Sequence, residues 1–337
     1  MSIANYEGGF SDGITIRGMP VSITHPGKVF WVLSALDGET TPASNPQLPN
    51  QKTGSDGNDG KFNSPFATIT KALSQCVANR GDVIMVKPGH VEAVSAAGGI
   101  VLDKAGVAII GLGLGSRRPT ITLGTANTAT ITVTANNVSV KNMLFKANFL
   151  NIATCFSIAN AQVATDFTVD GCEFKDNSVI LNFVSCVKVG TTANIADGLT
   201  LVNNRVNAAI LTTVPANQTF LVTASIIDRL NVSNNVVIYP KLLNDTATLV
   251  AAGALDLTNA VIAGNWSFRP STSTTGGNLV SSSSTACSGI VANNYDAHLD
   301  ASAGLMIATG TKFAFFNNYS MITGAADKSA LLNPVAV

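Results

Sequence analysis

The chain has 337 residues and no formal net charge; 46 % of its residues are hydrophobic and only 12 % charged, about half the usual charged share. Twenty basic residues balance twenty acidic ones, which argues against the clustered positive charge of a nucleic-acid-binding surface, and so much hydrophobicity with so little charge excludes a disordered chain. The most apolar stretch, "AGVAIIGLGLG" (105–115), is too short and too glycine-rich to span a bilayer, and residues 1–30 show neither the basic start nor the apolar run of a signal peptide.

In chain order, residues 1–36 carry two strand-like runs and read, together with residues 37–50, as an attachment arm (1–50). "TPASNPQLPNQKTGSDGNDG" (41–60) is a Pro/Gly/Asn/Asp linker; its "DGNDG" lacks the spacing and terminal glutamate of a calcium loop. In "SPFATITKALSQCVANRGD" (64–82), Ser64 suits an N-cap and Pro65 a first helical position. Phe66, Ile69, Leu73, Cys76 and Val77 share a helical face, and Gly81 ends it. Residues 51–80 are therefore expected to be linker plus an amphipathic helix capping the next domain. "GDVIMVKPGHVE" (81–92) starts that domain; Lys87, His90 and Glu92 alternate along it and read as a solvated strand edge.

From there the chain repeats. VAIIGLGL (107–114), VSVKNMLF (138–145), FTVDGCEF (167–174), LTLVNNRV (199–206), LNVSNNVV (230–237), AVIAGNWS (260–267), GIVANNYD (289–296) and FAFFNNYS (313–320) align without gaps. After Gly111 in the first copy, the turn residues are Asn142, Gly171, Asn203, Asn234, Gly264, Asn293 and Asn317, the residue types that best tolerate a left-handed backbone. Two and four residues before each turn the chain is mostly apolar, the period of a half-buried strand. Further apolar runs fall within the intervals, as in "ATITVTA" (129–135), "TFLVTA" (219–224), "TLVAAGAL" (248–255) and "GLMIATG" (304–310), so each period carries at least two strands. A period near thirty residues without helical crossovers leaves an all-β, right-handed parallel β-helix over 81–325, followed by a C-terminal tail, 326–337. The second turn position holds Asn204, Asn235, Asn265, Asn294 and Asn318 on consecutive rungs, which predicts a buried amide ladder.

Strand positions one and three before the turn face outward. They are polar early (Ser139, Lys141, Thr168, Asp170) and apolar late: Val261, Ala263, Ile290, Ala292, Ala314 and Phe316. With Trp266, Tyr295 and Tyr319 after the turn, this stripe is expected to be a subunit interface, the alternative being cover by long loops of the same chain, and a coil parallel to a symmetry axis suits a homotrimer.

No residues align for catalysis. Glycosidic cleavage needs two carboxylates flanking the bond, but Asp170 stacks with Lys141 and Val202, and Glu173 with Leu144 and Arg205. His25, His90 and His298 stand apart, and Arg117 and Arg118 in "GLGSRRPTI" read as salt-bridge or loop residues, with anion binding as the alternative. No catalytic, cofactor or metal site is expected. The five cysteines, Cys76, Cys155, Cys172, Cys186 and Cys287, are scattered and read as buried free thiols of a reducing compartment.

"NSPFATITKALSQC…RGDVIMVKPGHVEAVSAAGG", "VAIIGLGLGSRRPTITL" and "GGFSDGITIRGMPVSITHPGKVFWV" resemble β-helical virion structural proteins of tailed bacteriophages, of the capsid decoration or cement type. The likeness covers residues 7–150 well and the remainder as a repeat pattern; its "PFATI…GD.I.V.PG" frame is shared with tailspikes and pectin-lyase-like enzymes. The resemblance implies a non-enzymatic trimer in the virion, assembled in the host cytoplasm, partnered by itself and by the major capsid protein or another virion protein through the arm, without nucleic acid or membrane. The alternative is a tail spike or fibre that binds or depolymerises host surface polysaccharide.

Overall fold

Each period of about thirty residues forms three strands, and equivalent strands of successive periods pair in parallel. This is a parallel β-helix. The computed structural model describes residues 27–34, 54–178, 180–209, 218–239, 247–269, 278–282, 284–298, 312–322 and 329–332, with the backbone of a two-residue antiparallel pair, Thr15–Ile16 with Met19–Pro20. The rest of the expected arm and tail, and the apolar run at 304–310, lie outside the described residues.

Sheet one has ten strands, from Val29–Val32 to Lys312–Phe316. Sheet two has ten, from Val91–Val94 to Asn318–Ile322 and finally Ser329–Leu332. Sheet three has seven, from Ile100–Leu102 to Asn278–Ser282. In sheet one, Ile109, Val140, Val169, Leu201, Val232, Ile262 and Val291 stack in one register and are buried. Phe145, Phe156, Phe167, Phe174 and Phe220 fill the middle of the coil; Phe145 and Phe174 on neighbouring rungs stack with centroids 5.4 Å apart. Each such side chain stabilises the coil by roughly 1.5–3 kcal/mol.

The corner between sheets one and two explains the Asn/Gly rule. Asn142, Gly171, Asn203, Asn234, Gly264, Asn293 and Asn317 all have φ between 46° and 66°, where most residues with a Cβ are strained. Gly111 differs: it ends the strand Ala108–Gly111, and the left-handed residue is Gly113. Gly111 is glycine for another reason, since a Cβ there would lie 2.3 Å from the Asn142 carbonyl oxygen. Beside the turn runs the amide ladder. The Oδ1 atoms of Asn235, Asn265, Asn294 and Asn318 accept from the Nδ2 groups of Asn204, Asn235, Asn265 and Asn294, at 3.1, 2.9, 2.9 and 3.0 Å. Each Oδ1 also accepts the backbone N–H of the preceding asparagine. Cys172 heads the column, its N–H donating to Asn204 Oδ1 at 2.9 Å.

A second left-handed corner precedes sheet one. Gly106, Asn137, Asp166, Gly198, Arg229 and Asn259, each five residues before a turn position, have φ between 51° and 74°. Arg229 is the unusual member, and its side chain is held by ion pairs to Asp166 (3.2 Å) and Asp228 (3.5 Å).

Both ends of the coil differ from expectation. The coil begins with Val29–Val32, which pairs in parallel with Val83–Val86, so these residues of the expected arm are the first strand of sheet one. The helix is Ile69–Gln75, capped by Thr68 rather than Ser64. It starts late because Phe66 is held extended, bridging to Val32, with its N–H on the Trp31 carbonyl and its carbonyl accepting the Leu33 N–H. The Asp56 carboxylate then accepts the Ala67 and Thr68 N–H groups at 3.0 Å. Ile69, Ala72 and Leu73 are buried, and Val77, expected on that face, is half exposed. At the other end, Ser329–Leu332 of the expected tail pairs antiparallel with Asn318–Ile322, which occupies that strand's open edge.

Candidate functional site

The outer face of sheet two changes character along the coil. One column reads Leu144, Glu173, Arg205, Val236, Trp266, Tyr295, Tyr319 in successive register. Its neighbour reads Lys146, Lys175, Asn207, Ile238, Phe268, Ala297. The early rungs are charged and the late ones aromatic.

On the late rungs Trp266 is 60 % exposed, and Phe268, Tyr295 and Tyr319 are also exposed. Trp266 and Tyr295 lie 5.0 Å apart, and Tyr295 and Tyr319 are parallel within 7° at 5.2 Å. Around the corner on sheet one, Val261, Ile290, Ala314 and Phe316 are exposed. Ala263 is half-buried and Ala292 is buried, 8 % exposed, so Ala292 offers nothing to a partner even though it sits in the same column. The reach of the surface into Phe268 was missed from sequence; the signal was its place two residues after Trp266 in an alternating strand.

On the early rungs an open polar cleft of about 450 Å³ lies between Arg118, Gly171, Cys172, Glu173, Asn203, Arg205 and Asn207. Arg118 pairs with Glu173 at 3.3 Å, Asn207 Nδ2 donates to Glu173 at 2.6 Å, and Arg205 Nε donates to Asn207 Oδ1 at 3.0 Å. Beside it, Lys141 pairs with Asp170 at 3.5 Å, and Asn203 donates to the same carboxylate at 2.9 Å. The register joined Glu173 to Arg205 in the sequence, but Arg118 arrives from a loop with no fixed place in the repeat.

Lys87, His90 and Glu92 form no solvated edge. Lys87 is 2 % exposed and His90 fully buried, because residues 27–34 and the loop before the helix fold over the first rung. Trp31 packs edge-on against Phe62 at 4.8 Å, and the Lys87 ammonium sits 3.7 Å from the Phe62 ring centroid and donates to the Phe62 carbonyl. Burial pulls the Lys87 amine down to about 7. His90 Nε2 lies 3.2 Å from Glu92 Oε2, which also accepts the N–H of Ile69 at the start of the helix. On another rung the buried Asp176 takes donors from Phe183, Gln218 and Ala209, yet burial pushes it up to about 6. Lys87 and Glu92 thus tie the loop and the helix to the first rung, and Asp176 joins its own rung to the next. All five cysteines are buried and free, and burial pushes the Cys76 and Cys172 thiols up to about 12. Among the described residues, no three His, Cys, Asp or Glu side chains are grouped to hold a metal ion.

No family model and no curated protein matches the sequence. Among solved structures, a rhamnogalacturonan lyase is similar over 91 % of this chain and 85 % of its own, at 14 % identity and a TM-score of 0.47. A pectate lyase is similar over 90 % and 80 %, at 16 % identity and 0.39. The fold assignment rests on the strand pairing itself.

Proposed function

We propose that the chain is a non-enzymatic structural protein of a bacteriophage virion, decorating or cementing the capsid exterior as a homotrimer anchored by its N-terminal arm. The observation that carries the assembly is the exposed apolar and aromatic surface on the last rungs: Val261, Ile290 and Phe316 beside Trp266, Phe268, Tyr295 and Tyr319. These side chains expose on the order of 600 Å², aromatic residues offering 150–250 Å² each. That lies at the top of what monomers show and near one partner's share of a stable interface. The surface runs along the coil, so a three-fold axis parallel to it brings the same face of every copy together. The virion role rests on the sequence resemblance. In this reading the helix Ile69–Gln75 closes the coil's N-terminal end, its Ile69 lining a small apolar void with Ile100, Ile109 and Phe156.

The cleft chemistry favours binding over cleavage. An arginine does not give up its proton to act as a base, and Glu173 is held by Arg118 and Asn207. The alternative reading, a spike that handles polysaccharide, draws on this same cleft, as a binding site.

Sedimentation of the full chain tests the assembly. A trimer is expected, and Ile290→Asp with Tyr295→Ser should yield a monomer with an unchanged circular dichroism spectrum. A monomeric wild type, or an unaffected double variant, removes the interface. A chain lacking residues 1–26 keeps the strand Val29–Val32; it should still form trimers but fail to bind empty capsids, and undiminished binding would rule out anchoring by the arm.

A further inference from the structure

We propose that the cleft at Gly171, with the basic face of sheet two beside it, binds a linear glycan bearing carboxylates. This rests on the polysaccharide-binding alternative for the same cleft and stands or falls separately from the virion reading.

Five basic side chains, Arg118, Lys141, Lys146, Lys175 and Arg205, lie around two acids, Asp170 and Glu173, on adjacent rungs of a chain with no net charge. Lys146 and Lys175 face outward, since they alternate with the buried Phe145 and Phe174. Neither lysine has a carboxylate partner among the described residues, and neither do the terminal nitrogens of Arg205. The Arg205 Nε bond to Asn207 fixes the plane of the guanidinium and leaves its outer edge free, the geometry that takes a carboxylate with two parallel bonds. Arg118 Nε is buried without an acceptor.

The cleft is open because the turn residue on this rung has no side chain. Gly171 stands between Asn142 and Asn203 in the turn column, and a Cβ built there meets nothing within 4 Å. The ligand is a sugar rather than a bare phosphodiester because Glu173 lies within the lining. Its carboxylate repels any anion placed against it but accepts from hydroxyls, as the Asn203 and Asn207 amides also can, and a sugar chain supplies hydroxyls between its acid groups where a DNA backbone does not. Rungs repeat every ~4.8 Å, comparable to one pyranose in an extended chain, so acid groups on every sugar or on every second one fall in step with the basic residues.

The test is calorimetric titration of the full chain with hyaluronan and alginate oligosaccharides, maltohexaose and single-stranded DNA. At least one acidic oligosaccharide should bind, more weakly as salt rises, and maltohexaose should not. Gly171→Asn, which keeps a residue suited to positive φ and fills the cleft, should weaken binding at least about tenfold, and Arg205→Gln likewise. Glu173→Gln should tighten it by removing the repelling charge that lies within the lining, an effect that a purely structural role would not produce. Failure of both acidic oligosaccharides to bind, equal binding of maltohexaose, tighter binding of DNA, or indifference to Gly171→Asn each overturns the proposal.

Discussion

Replacing Asn265 with leucine is expected to cost about 3–6 kcal/mol, because it leaves several buried polar groups unpaired at 1–3 kcal/mol each. Asn265 Oδ1 accepts from the N–H and Nδ2 of Asn235, at 3.0 and 2.9 Å, and its Nδ2 donates to the Val232 carbonyl at 2.8 Å and Asn294 Oδ1 at 2.9 Å. Asn235 and Asn294 are fully buried, so water cannot replace those bonds. A coil is stabilised rung by rung; the damage should therefore be local. Hydrogen exchange should show lost protection from the Asn235 rung to the C-terminal end, with the rungs around Val140 and Val169 still protected. The contrast is Asn293→Gly: Asn293 is exposed with φ of 53°, and glycine suits that conformation, so the change should stay within about 1 kcal/mol. Equal losses from the two variants would mean that the ladder is not what holds these rungs.

Asp82→Ala should release the N-terminal strand, at a cost of about 2–4 kcal/mol, because it leaves the Lys28 and Val77 N–H groups without their acceptor at about 1–3 kcal/mol each. The Asp82 carboxylate is fully buried and accepts from Lys28 N and Val77 N, both at 2.7 Å, and from two Arg80 nitrogens at 2.6 Å. It thereby ties residues 27–34 to the coil. Trp31 reports the release: it is buried, whereas Trp266, the chain's second tryptophan, is already exposed. The variant's fluorescence should shift to the red and its residues 27–34 become open to protease. In the wild type acid should do the same. Burial pushes the Asp82 carboxyl up, but the Arg80 guanidinium and the Val77 and Lys28 amides outweigh it and hold the group below its ordinary value of 3.8. A lowered folded-state value means that this stabilisation is complete above 3.8 and is lost as pH falls through the folded value. A variant whose Trp31 emission and melting temperature match the wild type would show that the carboxylate does not anchor the strand.

The repeat was readable because its signals are local. A residue's tolerance for positive φ belongs to that residue, as at Asn234 and Gly264, and side-chain alternation belongs to a few neighbours, as in Leu230 and Val232. The second left-handed corner was equally present in the alignment, as Gly106, Asn137, Asp166 and Gly198 five residues before each turn, but Arg229 breaks the residue-type rule. Its side chain pairs with Asp166, 63 positions away.

From sequence alone came the period, the parallel coil, the asparagine column and the drift of the outer face from polar to apolar. Tertiary structure decided that Val29–Val32 is the first strand, that Phe66 is extended so the helix starts after Thr68, that Lys87 and His90 are buried, and that Arg118 meets Glu173 across 55 positions. The division has one physical cause. Backbone preference and side-chain period act over a few residues and recur with each turn of the coil, whereas burial and ion pairing at the ends and corners depend on which distant segment happens to cover them.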